Sequence, residues 1–156
     1  AAVSHVDRRA RAVDRHTGRL AELRAAAPEA ALVHAERATE LAPERAWAWY
    51  AKGVALHTIG DYPAAVGAFD ESLRLDPADV KALEWRAAAQ ALRGEHEDAV
   101  RDLTRALDEL ARADDARVAH WRVARGSLRD ELLRLRADSL EELGRYDAAQ
   151  KDRDPL

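Results

Sequence analysis

The stretch TIGDYPAAVGAFDESLRLDP, from Thr58 to Pro77, gathers four acidic residues, two glycines and the aromatics Tyr62 and Phe69. Carboxylates collected around a turn are the material of general acid–base catalysis or of hard-metal ligation. The spacing argues otherwise. Asp70–Glu71 and Glu141–Glu142 are sequence neighbours, so on a helix their side chains diverge. Six histidines, His5, His16, His34, His57, His96 and His120, contain no pair at the i,i+3 or i,i+4 spacing that shares a helix face. Asp114, Asp115 and His120 have the types of a metal site, but a polar connector with a surface histidine is the simpler reading. There is no cysteine, which removes thiolate catalysis, disulfides and cysteine–zinc sites. Gly-x-Ser-x-Gly, Gly-Lys-Ser/Thr and His-Glu-x-x-His are also absent from the sequence. These residues predict no catalytic centre, no metal and no cofactor.

What remains is a pattern of elements. Of the 156 residues, 47% are hydrophobic, many of them alanine, with only 7 glycines and 5 prolines. Alanine favours helix, and few breakers mean few, long elements. The 25 basic residues are balanced by 29 acidic ones, so no strong field invites nucleic acid or an anionic membrane. The arginine-rich start, RRARAVDRHTGR, is interleaved with acids and lacks stacking aromatics. No apolar run approaches the roughly 20 residues that span a bilayer, and the polar N-terminus has no signal-peptide core. A cytoplasmic location is expected. The arginine- and alanine-rich composition is what a GC-rich bacterial genome produces. The sequence has no initiator methionine, so a piece of a longer chain is one expectation.

The chain repeats itself. GDYPAAVGAFDESLRLDP from Gly60 aligns with GEHEDAVRDLTRALDEL from Gly94, 34 residues on. Ala65, Val66, Phe69, Ser72 and Leu73 fall over Ala99, Val100, Leu103, Ala106 and Leu107. One period earlier, Ala31, Leu32, Ala38, Leu41 and Pro43 keep the second-half pattern, with Ala26 where the glycine would be. GRYDAAQ begins at Gly144, 50 residues after Gly94, so about 16 extra residues intervene, DDARVAHWRVARGSLR from Asp114 to Arg129. Each copy predicts two helices. Gly60 suits a left-handed helix end, Asp61 a cap, Pro63 a first turn, Pro77 a stop and Asp79 the next cap.

This pattern resembles the tetratricopeptide repeat family, a 34-residue helix–turn–helix. The second copy supplies Trp49, Gly53, Gly60, Tyr62, Ala65, Phe69, Ser72 and Pro77, with Ser72 its one departure. The third keeps Leu83, Ala87, Gly94, Ala99, Leu103 and Ala106, with His96 and Ala111 in place of tyrosine and proline. The fourth keeps Leu133, Ala137, Leu140, Gly144, Tyr146 and Ala149 and then stops. The resemblance implies an all-α right-handed superhelix, an α-solenoid. It is read as one domain over residues 1–156, with repeats at about 12–45, 46–79, 80–113 and 130–156 and an insertion at 114–129. Val118, Trp121, Leu128, Leu132, Leu135 and Leu143 keep an apolar stripe through the insertion. The stripe favours one long helix from about Ala116 to Leu143 over the alternative, a break at Gly126 with Ser127 capping a new helix.

The resemblance also implies where partners bind. The first helix of each pair lines a concave face that takes extended peptides or helices. By register these positions hold Trp47, Tyr50, Val54 and His57 in the second copy. The third places Lys81, Glu84, Trp85 and Ala88 there, and the fourth Arg134, Leu135 and Asp138. The family's carboxylate clamp is not expected, because only Lys81 fits it, with His16, Leu20, Ala51 and Trp85 at its other positions. The expectation is a non-enzymatic interaction module. Alternatives are self-association, through the truncated last repeat or the Trp121 region, and a regulatory segment of a larger kinase or ATPase. Trp47, Tyr50 and Trp85 packing inside the stack would explain the same residues without a ligand.

Overall fold

A computed structural model of the chain describes residues 27–154. The first helix expected for the first copy, and the arginine-rich start, lie outside the described residues. Eight helices occur among the described residues: α1 (Pro28–Leu41), α2 (Ala46–Ile59), α3 (Tyr62–Leu75), α4 (Val80–Leu92), α5 (His96–Arg112), α6 (Asp115–His120), α7 (Arg125–Glu142) and α8 (Tyr146–Arg153). None is long and apolar enough to cross a membrane.

One turn geometry recurs three times. Gly60, Gly94 and Gly144 have φ of 94°, 79° and 71°. At the first, the Gly60 N–H donates to the His57 carbonyl and the Asp61 N–H to the Leu56 carbonyl at 3.0 Å. Glu95 to Gln90, and Arg145 to Leu140, repeat the second bond. This double closure satisfies the last helical carbonyls and needs a left-handed residue, which costs glycine nothing. After the turn, the Asp61 carboxylate accepts from the Ala64 N–H at 3.2 Å. Asp79 caps α4 in the same way, through the N–H groups of Lys81 and Ala82.

The described residues divide into two compact units, one up to Pro77 and one from Ala78. In the first, α2 packs between α1 and α3. Small residues set that spacing: Ala31, Ala35 and Ala55 form a core cluster with Leu32 and Ala51 against it. Phe69 of α3 is fully buried, and a Cβ placed on Gly53 of α2 would lie 2.6 Å from its ring. Only glycine leaves room for that ring. Ser72 closes the pair by donating to the Ala46 carbonyl at 3.0 Å.

In the second unit α4 pairs with α5, α5 with α7, and α7 with α8, while α4 also reaches α7. Ala87 and Leu103, both fully buried, stand at the register positions of Gly53 and Phe69, with a larger small residue and a smaller large one. Two bidentate ion pairs recur in register. Arg86 of α4 donates twice to Asp102 of α5 at 2.7 Å. Arg136 of α7 donates twice to Asp152 of α8 at 2.7 Å.

The insertion is not the expected single helix. α6 ends after His120, and α7 begins at Arg125. The break is not at Gly126, which lies in the first turn of α7, and Ser127 does not cap it. The chain leaves α6 through Arg122, at φ 54°. A projecting helix would have held Val118 and Trp121 in water, whereas folding back leaves each only 8% exposed. Arg125 secures the return by donating to the carbonyls of Leu110 and Ala113 at 2.5 and 2.7 Å, where α5 ends. A cation there also meets the negative end of the helix dipole.

Candidate functional site

Each unit presents its own first-helix face. In the first unit, Trp47, Tyr50, Val54 and His57 follow one another at helical spacing along α2. Trp47, Tyr50 and His57 are half-buried. Val54 is 1% exposed, so it serves as interior and not as a contact surface, a departure from its expected place on the lining. The Tyr50 ring leans on Phe69 at 6.2 Å between centroids, and His57 meets Tyr62 edge-on at 5.3 Å. These contacts fix both rings from below. Burial lowers the His57 pKa, favouring the neutral imidazole. Neighbouring Trp49 is committed to structure: its indole N–H donates to the Pro43 carbonyl at 2.8 Å, and Lys52 lies over its ring at 5.7 Å.

In the second unit, Lys81, Glu84 and Trp85 occupy α4, and Arg134 occupies α7. Lys81 is ion-paired with Glu84 one turn on. Arg134 donates to both Glu131 oxygens at 2.6 and 3.0 Å and to Asp138 at 3.2 Å. The Arg134 hydrogen bond is the main cause holding the Glu131 carboxyl below its usual range. The charges of Arg134 and Lys81 add to it, against the opposing effect of burial. The Lys81 contribution joins the α4 and α7 positions in one electrostatic setting. Trp85 is half-buried on the same helix as Lys81 and Glu84.

Sequence reading did not single out Arg153, which bridges Asp138 at 3.0 Å and Glu141 at 2.9 Å. Nor did it note the Arg86–Asp102 and Arg136–Asp152 pairs. Their signal was present: arginine and aspartate 16 residues apart, at matching register in the third and fourth copies. Asp114, a metal ligand by residue type alone, caps α6 by accepting from the Arg117 N–H at 2.7 Å. No group of three or more His, Asp or Glu side chains is placed to hold a metal ion among the described residues.

Helix pairs joined by one recurrent turn, with aromatic and charged residues on their first helices, define a helical-repeat protein. The tetratricopeptide repeat model matches residues 19–80 and 58–116, more than half of the chain. The chain belongs to the tetratricopeptide repeat family. A curated relative, the heat shock protein sti1 homolog of Schizosaccharomyces pombe, is 39% identical over 61 residues, 39% of this chain. Those residues span 10% of that protein. Two solved structures of MamA superpose with TM-scores of 0.68 and 0.67 at 18% identity. They cover 82% and 81% of this chain and 66% and 61% of their own, so the chain spans under two thirds of each. At that identity the likeness is one of fold.

Proposed function

We propose that the chain is a non-enzymatic protein-interaction scaffold that binds a partner peptide or helix on its first-helix faces. Trp47, Tyr50 and His57 serve this role in the first unit, and Lys81, Glu84, Trp85 and Arg134 in the second. The observation that carries the reading is the set of half-buried aromatic residues at lining positions of a tetratricopeptide repeat chain. Tyr50 and His57 are braced by Phe69 and Tyr62, so little side-chain entropy is lost when a partner covers them. Aromatic anchors with a charged surround are the usual composition of binding hot spots.

Selection from a random-peptide library, followed by calorimetry on the selected peptides, tests this. Replacing both Tyr50 and Trp85 with alanine should weaken binding by about thirty-fold or more while the helical circular dichroism is kept. Undiminished binding by the double variant sinks the assignment.

Self-association through the last repeat is a second reading, favoured by Tyr146, 67% exposed on α8. The Trp121 region loses its place in that reading, because the indole is buried in its own unit. Light scattering over a concentration series separates the two readings. A regulatory role within a longer protein is compatible with either.

A further inference from the structure

A cavity of about 230 Å³ opens between α7 and α8, lined by Asp130, Leu133, Arg134, Asp152 and Arg153. Leu133 is nearly buried and supplies an apolar wall. The charges around it are unequally committed. Arg134 is held by Glu131 and Asp138. Arg153 is held by Asp138 and Glu141, and Asp152 by the bidentate Arg136. Asp130 alone of the lining charges has no hydrogen-bond or ion-pair partner among the described residues. Counted together, five carboxylates face three guanidiniums in this network, so it carries excess negative charge. Arg134 is engaged through Nε and both terminal nitrogens, and Arg153 through Nη2, so each lining arginine already has carboxylate partners in place.

We propose that this cleft is a subsite for a lysine side chain of a bound partner, its methylenes against Leu133 and its ammonium against the Asp130 carboxylate. An aliphatic stem ending in a compact cation matches one apolar wall and one uncommitted anion. The subsite rests on the scaffold reading only for how the lysine arrives; the recognition chemistry is its own.

Titration of the ¹⁵N-labelled protein with N-acetyl-lysine methylamide, followed by amide shifts, tests it directly. Saturable shifts are expected at Asp130, Leu133, Arg134 and Arg153. Affinity should exceed that of the uncharged norleucine analogue by about three-fold, the scale of an exposed ion pair, and the preference should fall with added salt. Asp130→Asn should bring the lysine probe to the norleucine level with an unchanged circular dichroism spectrum. Equal affinity for lysine and norleucine probes, preference for the glutamate analogue, no saturable shift, or an unaffected Asp130→Asn variant would each overturn the subsite. The probe comparison on the unaltered protein holds even if the variant folds poorly. Library binding lost in the Tyr50/Trp85 double variant, with no lysine preference in the probe titration, would leave the scaffold standing and remove the subsite; a lysine-selective titration without any library binding would do the reverse.

Discussion

Gly53 and Phe69 show how one missing methyl determines a helix pair. A Cβ at residue 53 would meet three atoms of the Phe69 ring, all closer than 3 Å. Gly53→Ala should therefore cost about 1–2 kcal/mol net, overpacking outweighing the gain in helix propensity. Thermal denaturation measures this, and adding Phe69→Leu should recover much of the loss, because Ala87 with Leu103 already occupies the same register. His57 gives a second residue-scale prediction. Its folded pKa lies below the ordinary 6.5, through burial. The unfolded chain therefore takes up the proton first, so stability is full above about pH 7 and falls as the pH drops below 6.5. Urea midpoints between pH 7.5 and 5.5 should show that fall, and His57→Asn should flatten it. The glycine and the aromatic were legible from their place in the repeat. That they touch, and that Tyr50 shares the same ring, required coordinates.

At the level of elements, the caps and turns followed from residue types: Gly60 is left-handed, and Asp61 and Asp79 cap the helices after them. The insertion did not follow. Its apolar stripe is compatible with one straight helix, and nothing local in Arg122 announces a left-handed conformation. The deciding interaction is long in sequence, Arg125 reaching back to the last carbonyls of α5. Arg125→Ala should destabilise that corner by about 1–2 kcal/mol. Hydrogen exchange should quicken over Asp115–His120, and Trp121 fluorescence should shift to the red as the indole meets water. An unchanged exchange pattern would mean that burial of Val118 and Trp121 alone holds the fold-back.

Over the whole molecule, the family and the all-helical repeat architecture were readable from a fixed period with different residues between. The proposed partner-facing positions were readable only as register. Val54 at 1% exposure shows the limit of that method, since register assigns a direction and neighbours decide the depth. Repeat arrays are stabilised chiefly by contacts between neighbouring elements, and the Arg136 clamp is one such contact. It joins α7 to α8 and donates to Thr104 of α5 at 3.1 Å. Arg136→Leu would leave the buried Asp152 carboxylate without its bidentate partner, at a cost of about 3 kcal/mol. Denaturant unfolding should show that loss. Changing Asp152 to leucine as well should restore part of it, because a pair of apolar residues leaves no orphaned charge.

The unequal sizes at residues 53 and 69 against 87 and 103 bear on how such a chain avoids folding wrongly. Near-copies of one helix invite exchange of partners during collapse. The ring of Phe69 has no room against a residue bearing a Cβ, such as Ala87, and Leu103 set against Gly53 would leave a void. Each second helix thus fits its own first helix better than its neighbour's. A swapped pairing would therefore meet either a clash or a void, and the difference in size disfavours it.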